Sequence, residues 1–273
     1  MAYAKLITIG CDPEVFVRNT TTNAFESAHG LLPGNKQTPF VVPDGAIQID
    51  GMACEFNTDP VTTRAEFVRK VTSVFASMSA RLPMTVEPAI GVPVAHFTAE
   101  VYDAQPEEAL ELGCEPDYNA YTEDANPRPD VSTGTMRTAA GHIHIGFTDG
   151  MIEDAFSESH MNDCYSLTKF LDATVGVASL KYDTDVERRS LYGAAGAFRP
   201  KVYGLEYRVL SNAWLRNEEL IGNAFDSVVN ATKAWTQGKR LLPFMYDAAQ
   251  AIINTSDFDS VDSYMEEVAR QIG

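Results

Sequence analysis

The sequence is short of what several common machineries require. Basic residues are scarce: 21 Lys and Arg stand against 38 Asp and Glu, giving a formal net charge of -17. A surface of that sign disfavours nonspecific binding to nucleic acid or to anionic lipid, so neither is expected as a partner. An anionic small molecule would need local arginines or metal ions to be held at all. The four cysteines, Cys11, Cys54, Cys114 and Cys164, are scattered and form no C-x-x-C pair. They read as reduced thiols, not as a disulfide framework or a zinc site, which fits the cytoplasm. No apolar run is long enough to span a bilayer, and Met1–Gly10 lacks a basic segment followed by an apolar one, so no signal peptide is expected. Walker A, G-x-G-x-x-G, G-x-S-x-G and H-E-x-x-H motifs are missing, and no cysteine–histidine arrangement suggests a protease.

What is present is enough chain for a sizeable core: 273 residues, 45% of them hydrophobic. Histidine is rare, yet two of the five sit in Gly141-His-Ile-His-Ile-Gly146. In a strand, alternate side chains face opposite ways, so His142 and His144 share one face while Ile143 and Ile145 can bury on the other. The flanking glycines allow another backbone or a ligand to come close. The same plan recurs. Leu6–Gly10 and Glu14–Arg18 read as one strand interrupted at Pro13, with Asp12 and Glu14 on a shared face. Ala53–Asn57 carries Glu55 and Asn57 in front, Cys54 and Phe56 behind. Tyr203–Val209 places Glu206 and Arg208 opposite Tyr203, Leu205, Tyr207 and Val209.

Asp44-Gly45 and Asp50-Gly51 are hairpin signals. Further strands are expected near Thr85–Ala89 and Ala95–Val101, and Thr135–Phe147 is expected as the strand bearing the histidines. Leu32–Pro39, Gly113–Pro129 and Asp183–Tyr203 read as loops. Thr63-Arg-Ala-Glu66 fits a capping box opening an amphipathic helix to about Ala80. Helical spacing also marks Glu158–Leu180, Glu218–Gln237, Pro243–Ile253 and Val261–Ile272, the last with Ser260 as cap. No repeat, low-complexity segment or linker interrupts the chain. The expectation is one α+β domain over 1–273, an antiparallel sheet with helices on its apolar face and a helical part from about residue 213.

Acidic residues are poor strand formers, so carboxylates on several strands call for a reason. Carboxylates with one or two imidazoles suit Mg²⁺ or Mn²⁺, which can bridge nucleotide phosphates, and nearby arginines neutralise phosphoryl oxygens. Each pair also has a plainer account. Asp12 and Glu14 could serve solubility on a wet sheet face, Glu206 and Arg208 could form a cross-strand ion pair, and the histidines could be a hydrogen-bonded structural pair. Arg188, Arg189, Arg199 and Lys201, interspersed with Gly193, Gly196 and Gly204, resemble an anion-binding loop in so acidic a chain. Glu115 and Asp117 sit in a proline-containing loop and admit either reading.

Taken in order, Gly10-Cys-Asp-Pro-Glu-Val-Phe16, Asp44-Gly45, Cys54-Glu-Phe-Asn57, Gly113-Cys-Glu-Pro-Asp117, the His-x-His strand, Tyr192-Gly, Phe198-Arg and Tyr203-Gly-Leu-Glu-Tyr-Arg-Val-Leu-Ser-Asn212 resemble the phage-type COOH–NH2 ligases, amidoligases of the glutamine synthetase/glutamate–cysteine ligase fold. The resemblance covers about Ile9 to Asn212. It implies a curved antiparallel sheet with helices on its convex face, and a concave face binding ATP with divalent metals. Asp12, Glu14, Glu55, His142 and Glu206 would then hold metal. His144, Arg188, Arg189, Arg199, Lys201 and Arg208 would contact nucleotide or phosphate, with Arg199, Arg208 and Glu55 in catalytic roles and Glu115 or Asp117 near the incoming amine. The implied reaction joins a carboxylate to an amine through an acyl phosphate. The substrates would be small molecules or peptides, the setting a cytoplasm (the host's, if a phage encodes the chain), and a homo-oligomer is possible. The rival readings are a metal-dependent hydrolase using the His-x-His strand and a non-catalytic phage structural or scaffold protein.

Overall fold

Pro13 divides the front of the chain between two sheets. Proline cannot donate to a ladder, and in the computed structural model, which describes residues 3–110, 117–127 and 134–273, strand β1 (Tyr3–Cys11) ends just before it and β2 (Glu14–Asn19) begins just after. Next come β3 (Phe25–Glu26), β4 (Phe40–Val42), β5 (Gly45–Asp50) and β6 (Ala53–Thr58). Helix α1 (Arg64–Ser79) opens as the capping box requires, the Thr63 hydroxyl accepting the Glu66 amide at 3.3 Å. Strands β7 (Val86–Ala89) and β8 (Val94–His96) lead to short helices α2 (Ala99–Asp103) and α3 (Glu107–Leu110). Strands β9 (Tyr118–Asn119), β10 (Asp124–Ala125), β11 (Met136–Thr138) and β12 (Ile143–Thr148) follow. Helix α4 (Glu158–Leu171) runs through a π-helical turn, Asp172–Gly176, into α5 (Val177–Ser179). After β13 (Ala197–Lys201) and β14 (Gly204–Tyr207) the described chain is helical: α6 (Glu218–Thr236), α7 (Pro243–Thr255) and α8 (Val261–Ile272), with short 3₁₀ turns between.

The architecture is α+β, and the paired strands are antiparallel. One sheet runs β1-β12-β14-β13-β9-β10; a second runs β3-β2-β6-β5-β4 with β7 also against β2; β8 and β11 form a small ladder. Alternation sorts the side chains. Ile9, Ile143, Ile145, Leu205, Tyr207 and Phe198 are fully buried on one face. There α6 packs against β1, α4 against β13 and β14, and α1 against β5 and β6. Each such aliphatic side chain contributes about 2 kcal/mol by leaving water. The opposite face of the first sheet carries polar groups, whereas on the second sheet Glu14 and Glu55 share that face with a small apolar cluster around Phe16, Ala53 and Phe97.

Several sequence boundaries shift. Thr135–Phe147 is not one strand: Met136–Thr138 pairs with β8, and a break at 139–142 precedes β12. The strand expected over Ala95–Val101 stops at His96, because Thr98 caps α2 through the Val101 amide. The loop over Asp183–Tyr203 contains β13. Ser260 does not cap α8; its hydroxyl donates to Asp257 instead. The glycines flanking the histidines make room for protein, not ligand: a Cβ on Gly141 would lie 2.2 Å from Ser211 O, and one on Gly146 2.1 Å from Thr8 Oγ1.

Candidate active site

Strand register builds the site as two rows of side chains. On the first sheet His144 of β12 lies opposite Glu206 of β14, and Glu206 lies opposite Arg199 of β13. On the second, Glu14 of β2 lies opposite Glu55 of β6, and Glu55 opposite Gln48 of β5. Asp12, between β1 and β2, stands where the rows meet. A cavity of about 520 Å³ opens on them, lined among others by Asp12, Glu14, Glu55, His142, Arg199 and Arg208. Lys201 and Asp117 line it too.

Glu206 is the centre of charge. It is fully buried, with Lys201 Nζ at 3.0 Å, Arg199 Nη1 at 3.3 Å and Arg208 Nη1 also hydrogen-bonded to it. Burial and the Asp12 charge push its carboxyl up, but Arg208 and the two imidazoles outweigh them and hold it at about 2. His142 Nδ1 sits among Asp12 Oδ1 at 3.6 Å, Glu206 Oε1 at 3.5 Å and Arg208 Nη1 at 3.3 Å. Burial, then Arg208, pull its pKa down. His144 Nε2 lies 3.2 Å from Asp12 Oδ2. Burial alone would lower His144, but the Asp12 carboxylate raises it on balance, and Asp12 in turn is held well below the usual carboxylate range by the imidazoles despite its own burial.

The second row behaves oppositely. Burial and the neighbouring acids Asp12, Asp50 and Glu14 push Glu55 well up, and burial with Asp50 takes Glu14 to about 7 although Glu14 Oε2 accepts the Ala140 amide at 2.9 Å. The two rows thus differ in chemistry: one is a carboxylate ringed by cations, the other a run of acids short of them.

A divalent cation fits the first row. Asp12, His144 and Glu206 each offer an atom within 4.8 Å of the others, and Asp12 Oδ1 is buried without a hydrogen-bond partner. Two carboxylates and one imidazole suit Mg²⁺ or Mn²⁺. His144, expected at the phosphates, is therefore grouped with the cation donors, while His142 faces the junction of Asp12, Glu206 and Arg208.

Two of the expected phosphate contacts belong elsewhere. Arg188 is 1% exposed and donates to the carbonyls of Val209 at 2.8 Å, Leu210 at 3.0 Å and Arg208 at 3.5 Å. Burial lowers its pKa to about 10. Arg189 is buried against Asp183 at 3.1 Å and the Asp185 carbonyl at 2.7 Å. Neither lines the cavity. Of the four cations in that stretch, two are consumed by backbone and by an internal acid, leaving Arg199 and Lys201. A Cβ on Gly193 would meet Arg188 Nη1 at 1.9 Å, so this glycine admits a guanidinium and not an anion.

Glu115 and Cys114 lie outside the described residues, while Asp117 faces Arg208 Nε at 3.6 Å. Cys11, Cys54 and Cys164 are free and buried; burial raises the Cys54 thiol to about 12, so none is a poised nucleophile. The cavity also includes residues that spacing did not single out. Asp50, whose Asp-Gly step reads as a turn, pairs with Lys36 at 2.8 Å. The Tyr192 hydroxyl is buried with no hydrogen-bond partner. Tyr203, assigned by alternation to the apolar side, instead reaches His144 from the β13–β14 turn.

No family model and no curated protein matches the sequence. Among solved structures, one described as a novel glutamine synthase homolog superposes with a TM-score of 0.43 at 9% identity. The match covers 98% of this chain, which spans 65% of the length of that structure. A likeness at that level carries no functional weight. Among the described residues, no helix is long and apolar enough to cross a membrane.

Proposed function

We propose that the protein is an ATP-dependent carboxylate–amine ligase that forms an amide or peptide bond through an acyl phosphate. The reading is carried by one observation: Glu206 has a candidate cation ligand, His144, as its neighbour on one strand and a phosphate-binding candidate, Arg199, on the other. Cation donors and guanidinium groups on one wall are what a metal-bridged polyphosphate needs. A hydrolase that only activates water has no use for Arg199, Lys201 and Arg208 together. A bound divalent cation would screen the phosphate oxygens and help to align them.

The chain's own groups do the rest. Asp12, His144 and Glu206 would hold the cation, and Glu14 and Glu55 form a second acidic row on the neighbouring sheet. Arg199, Lys201 and Arg208 neutralise the phosphoryl oxygens and fix the γ-phosphorus in line with a substrate carboxylate oxygen. That oxygen bonds to phosphorus as the bond to ADP breaks. The amine nitrogen then bonds to the acyl carbon as the carbon–oxygen bond to phosphate breaks, and the nitrogen gives its proton to the departing phosphate. Asp117, which lines the cavity, would receive the incoming amine. The test is ADP release with Mg²⁺ against pooled amines and carboxylates, with Glu206→Gln as control. Turnover that needs both pools and is lost in the variant supports the reading; cleavage of phosphoesters or amides without nucleotide overturns it.

A further inference from the structure

The His144 ring is gripped at both nitrogens. Nε2 faces Asp12 Oδ2 at 3.2 Å, and Nδ1 lies 2.5 Å from the hydroxyl of Tyr203. We propose that Tyr203 is a positioning residue of the cation site, whose hydroxyl orients His144 so that Nε2 presents its lone pair to a divalent cation shared with Asp12 and Glu206. The inference rests on the cation reading of those three residues.

The Tyr203 hydroxyl can do this because its own place is fixed from two sides. Its carbonyl accepts the Phe147 amide at 3.0 Å and the Thr148 amide at 3.3 Å, so the turn is tied to the strand that carries His144. From behind, the fully buried His160 donates through Nε2 to Lys201 O at 3.0 Å and Gly204 O at 2.9 Å, clamping both ends of the turn. The hydroxyl and the imidazole therefore meet across a braced hairpin, not at the end of a loose side chain.

The choice of a phenol has a reason. A hydroxyl both donates and accepts. Without a cation, His144 Nε2–H can donate to Asp12 while Nδ1 accepts the phenolic proton. With a cation on Nε2, the ring proton must sit on Nδ1, and the same oxygen then accepts it. A carbonyl or carboxylate could serve only the second arrangement. Tyr203 keeps Nδ1 paired in both, so the ring does not have to break this half-buried hydrogen bond when the cation arrives. Groups that orient metal-binding imidazoles in this way are worth about 10- to 100-fold in metal affinity.

The experiment is Mn²⁺ binding to the nucleotide-free protein, followed by electron paramagnetic resonance of free Mn²⁺, with Asp12→Asn as reference. Tyr203→Phe keeps the ring and its packing and removes only the oxygen. It is expected to weaken Mn²⁺ about tenfold or more while the metal-free melting temperature stays near wild type. The imidazole ¹⁵N shifts of His144 report the ring proton directly: in wild type it should move from Nε2 in metal-free protein to Nδ1 on saturation with Mg²⁺, and Tyr203→Phe at the same Mg²⁺ concentration should show a mixture because less cation is bound. Wild-type affinity and an unmixed signal in Tyr203→Phe, with binding lost in Asp12→Asn, overturn the role of Tyr203 alone. Wild-type affinity in both variants overturns it together with the cation site.

Discussion

Glu14 and Glu55 stand directly opposite one another on paired strands, Glu55 buried and Glu14 half-buried, and both are raised above the usual carboxylate range by burial and by neighbouring acids. Like charges in that position oppose folding once both ionise. The folded chain holds these protons to higher pH than the unfolded chain does, from the ordinary 4.5 up to about 7 for Glu14. Stability is therefore full below that window and is lost as pH rises through it. In metal-free protein the melting temperature should fall between pH 5 and pH 8, and Mg²⁺ should restore more of it at pH 8 than at pH 5. Glu55→Gln should flatten the fall. Calorimetry across that range decides; a slope unchanged by Glu55→Gln would count against the pairing. Glu206, held at about 2, works at the other end, its contribution lost as pH drops below 4.5.

A second buried acid lies away from the cavity. Asp172, in the π-helical turn behind the first sheet, accepts the Tyr207 hydroxyl at 2.7 Å and the Gly196 amide at 2.6 Å. Burial still lifts it from 3.8 to about 7. Its share of stability is likewise lost as pH climbs from 3.8 through 7, an upper bound on the order of 4 kcal/mol. Asp172→Asn should make stability less dependent on pH in that interval without altering Mn²⁺ affinity. Urea midpoints at pH 4, 6 and 8 measure the first, and Mn²⁺ titration the second.

Arg188 and Arg199 should part company under substitution. Arg188→Met leaves the buried carbonyls of Val209 and Leu210 without their donor, each worth about 1–3 kcal/mol, and should lower stability by several kcal/mol. Arg199→Met should cost little stability but reduce nucleotide-dependent turnover about 100-fold. Chemical denaturation and ADP release on the two proteins separate a structural arginine from a functional one. Equal effects on both readouts would contradict the division.

Arg208 carries both burdens. It pairs with the fully buried Glu206 and with Asp117. Arg208→Ala should abolish turnover and also destabilise, because Glu206 loses its nearest counter-charge. Adding Glu206→Gln to that variant should recover stability and no activity. The coupling energy from the double-mutant cycle is expected at about 2–3 kcal/mol; a value near zero would mean that Arg199 and Lys201 suffice.

Much of the site was legible in the chain because strands report their faces with period two. Asp12, Glu14, Glu55, His142, His144, Glu206 and Arg208 were marked by polar residues alternating with apolar ones; the structure sets Asp12, Glu14, Glu55, His142 and Arg208 on one cavity, with His144 and Glu206 behind its wall, paired with Asp12 and Arg208. What failed to show was anything fixed by the partner and not by the pattern. Arg188 and Arg189 look like their neighbour Arg199 until the carbonyls of Arg208, Val209 and Leu210 and the Asp183 carboxylate claim them. Tyr203 obeys the alternation in sequence but sits in a turn, where alternation no longer applies. Asp50 ends strand β5 against a hairpin turn and Lys36 lies in a loop; the composition there says that the chain bends and nothing about what the bend faces. The fold shows the same split: capping at Thr63 and the helical stripes were readable, whereas the division of the strands into separate ladders depends on pairing that no local pattern encodes.

Pro13 has one more bearing. Asp12 follows the last strand residue of β1 in the first sheet and Glu14 opens β2 in the second, so the cation donors and the second acidic row are mounted on two plates with a stiff ring at their junction. Any shear between those plates alters the spacing of the acids before it bends either plate. The catalytic geometry is thus a gauge of how the halves are seated, and a remote substitution that unseats them should register first as a change in cation affinity.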